Sequence, residues 1–548
     1  MVSATGSAAT VEGHAGDLAV AALAGYGVRE LFTLNGGHIW PLYDAIRKRG
    51  DDLRIVDVRH EQTAAFAAEG IAKLTRRPGV AALTAGPGIT NGTSAVTTAH
   101  FNGAPLVVLG GRAPQGRWGA GSLQELDHVP LLEPITKRAA TVTASEDSGR
   151  VVADAVEAAL TPHRGPVFVD FPMDLLFAET TGEVPAATRP AGPEPDADEV
   201  ARAAELLAAA ERPALIAGTD VWWDGAWEAL RAAVEALRVP TFVNGLGRGC
   251  LPADHELAFS RTRGMLKTDA DVVAVVGTPL DFRLSFGSFG DAQVVHIVDA
   301  PESRASHAEV AVSPAGDLST ILGGLADWSG DRSDHEPWIS RMRDAEQQAR
   351  AGDAEAMADD ADPVKPGRVY GEVTRRLDRD AVVVCDGGDF VSYAGRYVDS
   401  FEPGCWMDPG PYGCLGTGMG YAAAARVAHP DRQVVVMLGD GAAGFSLMDV
   451  DTLVRHDLPV VIVVGNNGIW GLEKHPMQAI YGYDVAADLQ PACRYDTVVE
   501  ALGGAGETVE KPGELGPALD HALAAGVPYL VNVLTDPDDV YPRSSNLG

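Results

Sequence analysis

Short runs rich in Val, Ile, Leu and Phe alternate with alanine-rich stretches along almost the whole chain. A repeat of strand, helix and strand closes most simply as a parallel sheet with crossover helices, so the alternation already excludes all-helical and all-β folds. Between residues 12 and 182 the runs are VRELFTL, LRIVDV, GVAAL, PLVVLGG and GPVFVDFP. A second set, PALIAG, VPTFVNG, VVAVVG and VVHIVD, falls within 197–330. A third, AVVVCDGG, QVVVMLGDG, PVVIVVGNNG and PYLVNVLTD, falls within 365–548. The segment EVPAATRPAGPEPDADE reads as a linker between the first two sets, and the charged, partly helical stretch from Ser329 to Pro366 joins the last two. The expected fold class is therefore α/β, with three doubly wound parallel-sheet domains, as suits 548 residues that exceed a single core. Blocks one and three share a layout and close on similar strands, GPVFVDFP and VPYLVNVL, as an internal duplication would leave them.

Charge and cysteine usage narrow the partners. A net charge of −33 argues against nucleic acid and anionic membrane, and means that any anionic ligand must be met by local clusters of cations. The five cysteines are scattered without C-x-x-C spacing, which suggests neither a disulfide framework nor a zinc site and fits a reducing compartment. The opening residues lack the basic and apolar regions of a signal peptide, and no run reaches the length of a membrane span, so a cytoplasmic location is expected.

The densest chemical signal lies in the third block. Gly439-Asp440-Gly441 closes the run QVVVML, and Asn467, 27 residues after the Asp, follows PVVIVV within Gly465-Asn466-Asn467-Gly468. Between them Leu447, Val450 and Val454 have the i, i+3, i+7 spacing of a buried helical stripe. The two strands of this unit are expected as neighbours about 4.8 Å apart, with their carboxyl ends on the side where open α/β sheets gather ligands. A carboxylate and an amide oxygen there suit a hard, octahedral Mg²⁺, which takes oxygen ligands and shares itself with phosphates. The glycines let backbone N–H groups approach a diphosphate. In the first block, Glu61 of LRIVDVRHEQTAAFAAEG follows a strand and opens an alanine-rich helix. Asp57, His60 and Glu69 stand nearby as alternatives, and a Glu in a first turn is also an ordinary partner of the helix dipole.

Together these segments resemble the thiamine diphosphate enzymes, over essentially the whole chain. The domain order is that of the acetolactate synthase, pyruvate oxidase and oxalyl-CoA decarboxylase group: a pyrimidine-binding domain (12–182), a central nucleotide- or CoA-binding domain (197–330), and a diphosphate-binding domain (365–548) with a C-terminal lid. The resemblance implies thiamine diphosphate and Mg²⁺, with Asp440, Asn467 and the backbone carbonyl of Ile469 as metal ligands. Gly439, Gly441, Ala442 and Trp470 would surround the diphosphate, and Glu61 would hydrogen-bond the aminopyrimidine N1′ and so activate the cofactor. The Gly36-Gly37 loop and the Gly86-Pro87 turn with Asn91 would lie beside the cofactor, and Leu415 would prop it into its bent shape. Gln124 would face the reacting centre and His38 the substrate. In this family the cofactor lies between two subunits, so a homodimer or homotetramer is implied.

Within the group, three features depart from acetolactate synthase: the segment after the Asn pair, a Leu where Met is usual at position 415, and Thr278-Pro279-Leu280-Asp281-Phe282-Arg283 where a flavin-side Arg-Phe-Asp-Asp-Arg motif is usual. FAD is accordingly not expected. Asn466-Asn467-Gly468-Ile469-Trp470 is similar to oxalyl-CoA decarboxylase and 2-hydroxyacyl-CoA lyase, and Leu123-Gln124 is more like the lyases, above all actinobacterial ones of the 2-hydroxyisobutyryl-CoA type. That resemblance implies cleavage of a 2-hydroxyacyl-CoA to formyl-CoA and an aldehyde or ketone, reversibly, with Glu473 as the group that takes the 2-hydroxyl proton. An acetolactate synthase-like or other 2-oxo-acid activity is the alternative. An acyl-CoA substrate needs cations, for which Arg248, Arg263 and Lys267 in the central block and Arg543, Ser544 and Asn546 in the tail are the candidates. Whether the central domain holds ADP or only CoA stays open.

Overall fold

A computed structural model describes residues 8–541. The first domain holds β1 (Ala9–His14), β2 (Glu30–Thr33), β3 (Arg54–Asp57), β4 (Gly79–Leu83), β5 (Leu106–Arg112), β6 (Arg138–Thr141), β7 (Val167–Pro172) and β8 (Glu179–Val184). The central domain holds β9 (Pro213–Ala217), β10 (Thr241–Val243), β11 (Val272–Val276) and β12 (Gln293–Ile297). The third holds β13 (Val382–Asp386), β14 (Trp406–Met407), β15 (Val434–Gly439), β16 (Val461–Asn466), β17 (Ala505–Val509) and β18 (Tyr529–Leu534).

Each domain is built on one parallel sheet, in the orders β3-β2-β4-β5-β7-β6, β10-β9-β11-β12 and β14-β13-β15-β16-β18-β17. The two six-stranded sheets have the same winding: in both, the first strand lies second from one edge and the fifth forms the other edge. That shared topology is what the similar layout of the two blocks predicts. The interior strands β4, β5, β7, β13, β15 and β16 are buried along their whole length or nearly so, which is why they read as continuous apolar runs. β1 and β8 form a separate antiparallel pair that starts three residues before position 12.

One predicted element breaks. The helix expected through Leu447, Val450 and Val454 is three pieces: Asp440–Ser446, a 3-10 turn over Leu447–Asp449, and Val450–Arg455. Asp449 is the cause. Its buried carboxylate accepts from the Arg59 N–H at 2.7 Å and from the Thr63 hydroxyl at 2.6 Å, both in the first domain, and this pull interrupts the regular turn.

First and third domains are joined by a buried polar knot. The helix Glu61–Thr75 packs on the helix Gly418–Ala428, and Lys73 and Glu69 lie between them at 2% and 0% exposure. Lys73 Nζ is 3.1 Å from Glu69, donates to the Tyr421 hydroxyl at 2.7 Å and to the Asp408 carbonyl at 3.0 Å. Tyr421 and Asn102 each donate to Glu69 at 2.8 Å. The central domain is tied to the same place, since Trp222 Nε1 donates to the Lys73 carbonyl at 2.6 Å and Trp223 Nε1 to the Asn102 carbonyl at 3.0 Å. No helix among the described residues is long and apolar enough to cross a membrane. Lys73→Ala leaves a carboxylate buried without its cation and is expected to cost about 3–5 kcal/mol, read as a lower urea midpoint.

Candidate active site

The parallel pairing of β15 with β16 sets Gly439 opposite Gly465, so both strands end at one edge of the sheet, as predicted. Asp440 opens the next helix and Asn467 the next loop. Asp440 is 3% exposed; its Oδ1 accepts from Gly441 N–H at 3.0 Å and its Oδ2 from Gly468 N–H at 2.7 Å. No cation or basic side chain pairs with it among the described residues, and burial pushes its carboxyl up to about 6. Asn467 Nδ2 donates to Asp389 at 3.3 Å, which fixes Oδ1 as the amide atom left to accept, and Oδ1 takes the Ile469 N–H at 3.2 Å. The loop is pinned by Trp470 N–H to the Ala487 carbonyl and Leu489 N–H to the Gly468 carbonyl, both at 2.8 Å. A buried, uncompensated carboxylate beside an oriented amide oxygen is a donor set of the kind Mg²⁺ requires.

Other expected residues gather at the same edge. Leu415 Cδ2 and the Ala442 side chain both stand close to where a Cβ on Gly387 would lie, so Leu415 stands beside the Asp440 turn. The Trp470 ring lies over Gly441, where any Cβ would meet it at 2.5 Å. Asp389, in the first turn of the helix Gly388–Tyr397, is a member that sequence reasoning missed. It follows a Gly pair at the end of β13, the strand next to β15, and that position is the signal that marks it.

In the first domain the predicted residues also converge at the carboxyl end of the sheet. Glu61, 7% exposed, opens its helix and accepts from Asn91 Nδ2 at 3.0 Å. Its competitors are engaged elsewhere: Glu69 in the knot with Lys73, Asp57 with Arg455 at 2.7 Å and His456 at 3.0 Å. His38, on the turn Gly37–Ile39 after Gly36, lies 3.2 Å from the Thr84 hydroxyl, and burial holds its imidazole below the usual value. Gly86 touches Gln124, and beneath them is a buried histidine, His128, that no local pattern announces. Among the described residues no hydrogen bond joins Glu61 to the Asp440–Asn467 group. The nearest link within the chain is Gln62 Nε2, which donates to the Leu415 carbonyl at 3.2 Å.

Three family profiles cover these elements in order: the N-terminal thiamine pyrophosphate binding domain over 13–131, the central domain over 200–325 and the C-terminal thiamine pyrophosphate binding domain over 386–533. The chain is a thiamine diphosphate-dependent enzyme. It is 54% identical over 539 residues to a probable acetolactate synthase of Mycobacterium bovis, covering 97% of this chain and 98% of that one. The acetolactate synthase large subunit IlvG of Mycobacterium tuberculosis matches equally. The 2-hydroxyacyl-CoA lyase 2 of Caenorhabditis elegans is 34% identical over 579 residues, covering 96% of this chain and 90% of the relative. The enzyme thus works by the carbon–carbon chemistry common to this group.

The substrate-side expectations divide. Arg263 and Lys267 line a cavity of about 1030 Å³ between the central and third domains, together with Leu472, His475 and Ile480, and Asp389 and Gly471 belong to the same wall. Neither cation has an ion pair among the described residues. Arg248 behaves differently from the expectation: it bonds the carbonyls of Gly395 and Val398, lies 3.3 Å from the Ser400 hydroxyl and stacks 4.0 Å from the Trp406 ring, so it braces the domain junction instead of reaching for a ligand. Glu473 is exposed in the first turn of the helix Gly471–Tyr481, beside the wall that Leu472 and His475 supply. Arg543, Ser544 and Asn546 lie outside the described residues.

Asp440→Asn removes the buried charge. Magnesium-dependent binding of thiamine diphosphate should disappear by titration calorimetry, while the metal-free protein at pH 7 melts no lower than wild type. A carboxyl raised to about 6 is ionised there at a cost to the folded state that the amide does not carry.

Proposed function

We propose that the enzyme is a 2-hydroxyacyl-CoA lyase that cleaves its substrate reversibly to formyl-CoA and an aldehyde or ketone. The observation that carries this reading is the cavity of about 1030 Å³ whose wall includes Gly471 and Asp389. A volume at the upper end of what ligands of drug size fill far exceeds the needs of a small 2-oxo acid. Its wall combines Leu284, Phe289 and Ile480, suited to a pantetheine arm, with Arg263 and Lys267, suited to phosphates in a chain of net charge −33. Arg263 and Tyr541 are shared with an adjoining cavity of about 540 Å³, where Arg263 stands beside Arg261, Arg350 and Arg396, the last three paired with Asp353 or Asp399, and this cluster would receive the nucleotide end of CoA.

The alternative seat, at the carboxyl ends of the central sheet, suits a diphosphate poorly. That hollow is about 260 Å³ and carries Asp220 and Glu302. His163 there is 3.0 Å from Asp299, and against the effect of burial Asp220 first and Asp299 second raise its value to about 9. CoA at the arginine-walled cavity is therefore favoured over ADP at the central strand ends.

Bound thiamine diphosphate would supply the electron sink that lets a bond beside a carbonyl break. Asp440, Asn467 and the Ile469 carbonyl would hold its Mg²⁺, Leu415 would bend it, and Glu61, buried and oriented by Asn91, would exchange a proton with the pyrimidine ring. Glu473 would accept the 2-hydroxyl proton as the C1–C2 bond of the substrate breaks. Two chains complete the site in this reading. Trp40, Phe101, Leu123, Tyr412, Phe445 and Met448, all between 45% and 78% exposed, surround the cofactor loops as a partner surface would.

A second reading is an acetolactate synthase-like enzyme acting on pyruvate, favoured by the names of the relatives at 54% identity. A panel of 2-hydroxyacyl-CoA thioesters, assayed for formyl-CoA beside pyruvate assayed for acetolactate, separates the two. Formyl-CoA from at least one thioester is the expected result, and acetolactate alone would replace the proposal by the second reading. Glu473→Gln should lower turnover by about 10²-fold. A variant at the wild-type rate would remove Glu473 from the reaction.

A further inference from the structure

The Gly86 turn rests on a polar relay inside the first domain. Gly86 (φ +60, ψ −110) stands where the chain leaves β4 and enters the helix Pro87–Phe101, a conformation closed to other residues. Its N–H donates to Nε2 of His128 at 3.0 Å. The imidazole is completely buried, and its Nδ1 is 3.1 Å from Oδ2 of Asp170, which is buried as fully. Since Nε2 accepts, a neutral ring carries its proton on Nδ1 and donates it to Asp170. Arg112 donates to the same Oδ2 at 3.0 Å and to Asp127 at 3.0 Å, with its guanidinium 3.9 Å from the Trp118 ring centre. Oδ1 of Asp170 is left buried without a hydrogen bond, so both partners pull on one oxygen and fix the carboxylate's rotation.

The same histidine ends the segment that carries Gln124. Gln124 has φ +59, a left-handed conformation that costs a side chain about 1–2 kcal/mol and persists only where its surroundings impose it. Glu125 holds the outer part of the segment through the N–H groups of Gly119 at 2.9 Å and Ser122 at 3.2 Å. Gly86 closes the inner part: a Cβ there would stand 3.0 Å from the Gln124 Cβ. One glycine thus touches Gln124 with its Cα face and His128 with its N–H.

We propose that His128, in its Nδ1–H form and braced by Asp170 and Arg112, is a positioning residue. It holds the Gly86 turn and Gln124 in one register and thereby sets where Gln124 meets the cofactor and substrate. The inference rests on the reading of Gln124 and this turn as lining the thiamine site, and on no particular substrate.

Three variants test it: His128→Leu, which removes both partners; His128→Gln, whose carbonyl can accept from Gly86 and whose amide can donate to Asp170; and Gln124→Ala. His128→Leu should lower kcat by about 10- to 100-fold, the loss expected from a small displacement of a reacting group, and should weaken thiamine diphosphate in calorimetry. His128→Gln should restore most of both. The pair His128→Leu/Gln124→Ala should lose little more than the worse single variant, because the two act through one contact. His128→Asn, polar but too short to reach both partners, replaces the leucine variant if that does not fold. Losses that multiply in the pair, or a leucine variant at wild-type rate and affinity while Gln124→Ala is impaired, would overturn the role of His128. A Gln124→Ala enzyme that keeps full activity would instead overturn the reading of the site.

Discussion

Because β15 and β16 run in parallel with Gly439 opposite Gly465, a carboxylate and an amide leave the third sheet side by side. Both then meet backbone N–H groups that orient them, and Asn467 is also held by the half-buried Asp389. A slip of one residue in this register would turn one of the two side chains to the other face of the sheet and separate them. The loop after Asn467, the Trp470 ring over Gly441 and the start of the helix Gly471–Tyr481 all take their places from the same pair of strands. That helix, from Gly471 to Ile480, forms one wall of the cavity of about 1030 Å³, so the register also sets the place of that wall.

The binding edge carries instability in exchange for function. Asp440 is buried without a counter-charge, and burial also raises the carboxyls of Asp389 and Asp449 above the usual range. A carboxylate held this way weakens the folded chain at neutral pH and gains from a bound cation. The knot of Lys73, Glu69 and Tyr421 is the opposite case, a buried charge with its partners in full.

Much of this was legible in the residues. Interior strands announced themselves because burial on both faces leaves apolar runs, and the Asp440–Asn467 spacing marked a strand, a crossover and a second strand. Edge strands escaped: β6, β14 and β17 are short or half-buried and lack such runs. The break after Ser446 escaped because Asp449 reaches Arg59 and Thr63, which are 390 and 386 residues away. The role of Arg248 was misread for the same reason, since its partners Gly395, Val398 and Ser400 lie in another domain. His128 left no trace, as its partners Gly86 and Asp170 are each 42 residues away and a single histidine in a loop reads as nothing in particular.

The first domain grips both of the others through Lys73, Asn102 and their tryptophan and tyrosine partners, and the central and third domains, tied to each other by Arg248, leave a cavity beside their junction. Substitutions along that seam, at Phe282, Leu284 or Ile480, alter the shape and charge of the passage without touching the metal or the pyrimidine end. Under the proposed reading, exchanging those side chains would change which substrate enters while Asp440, Asn467 and Glu61 stay as they are.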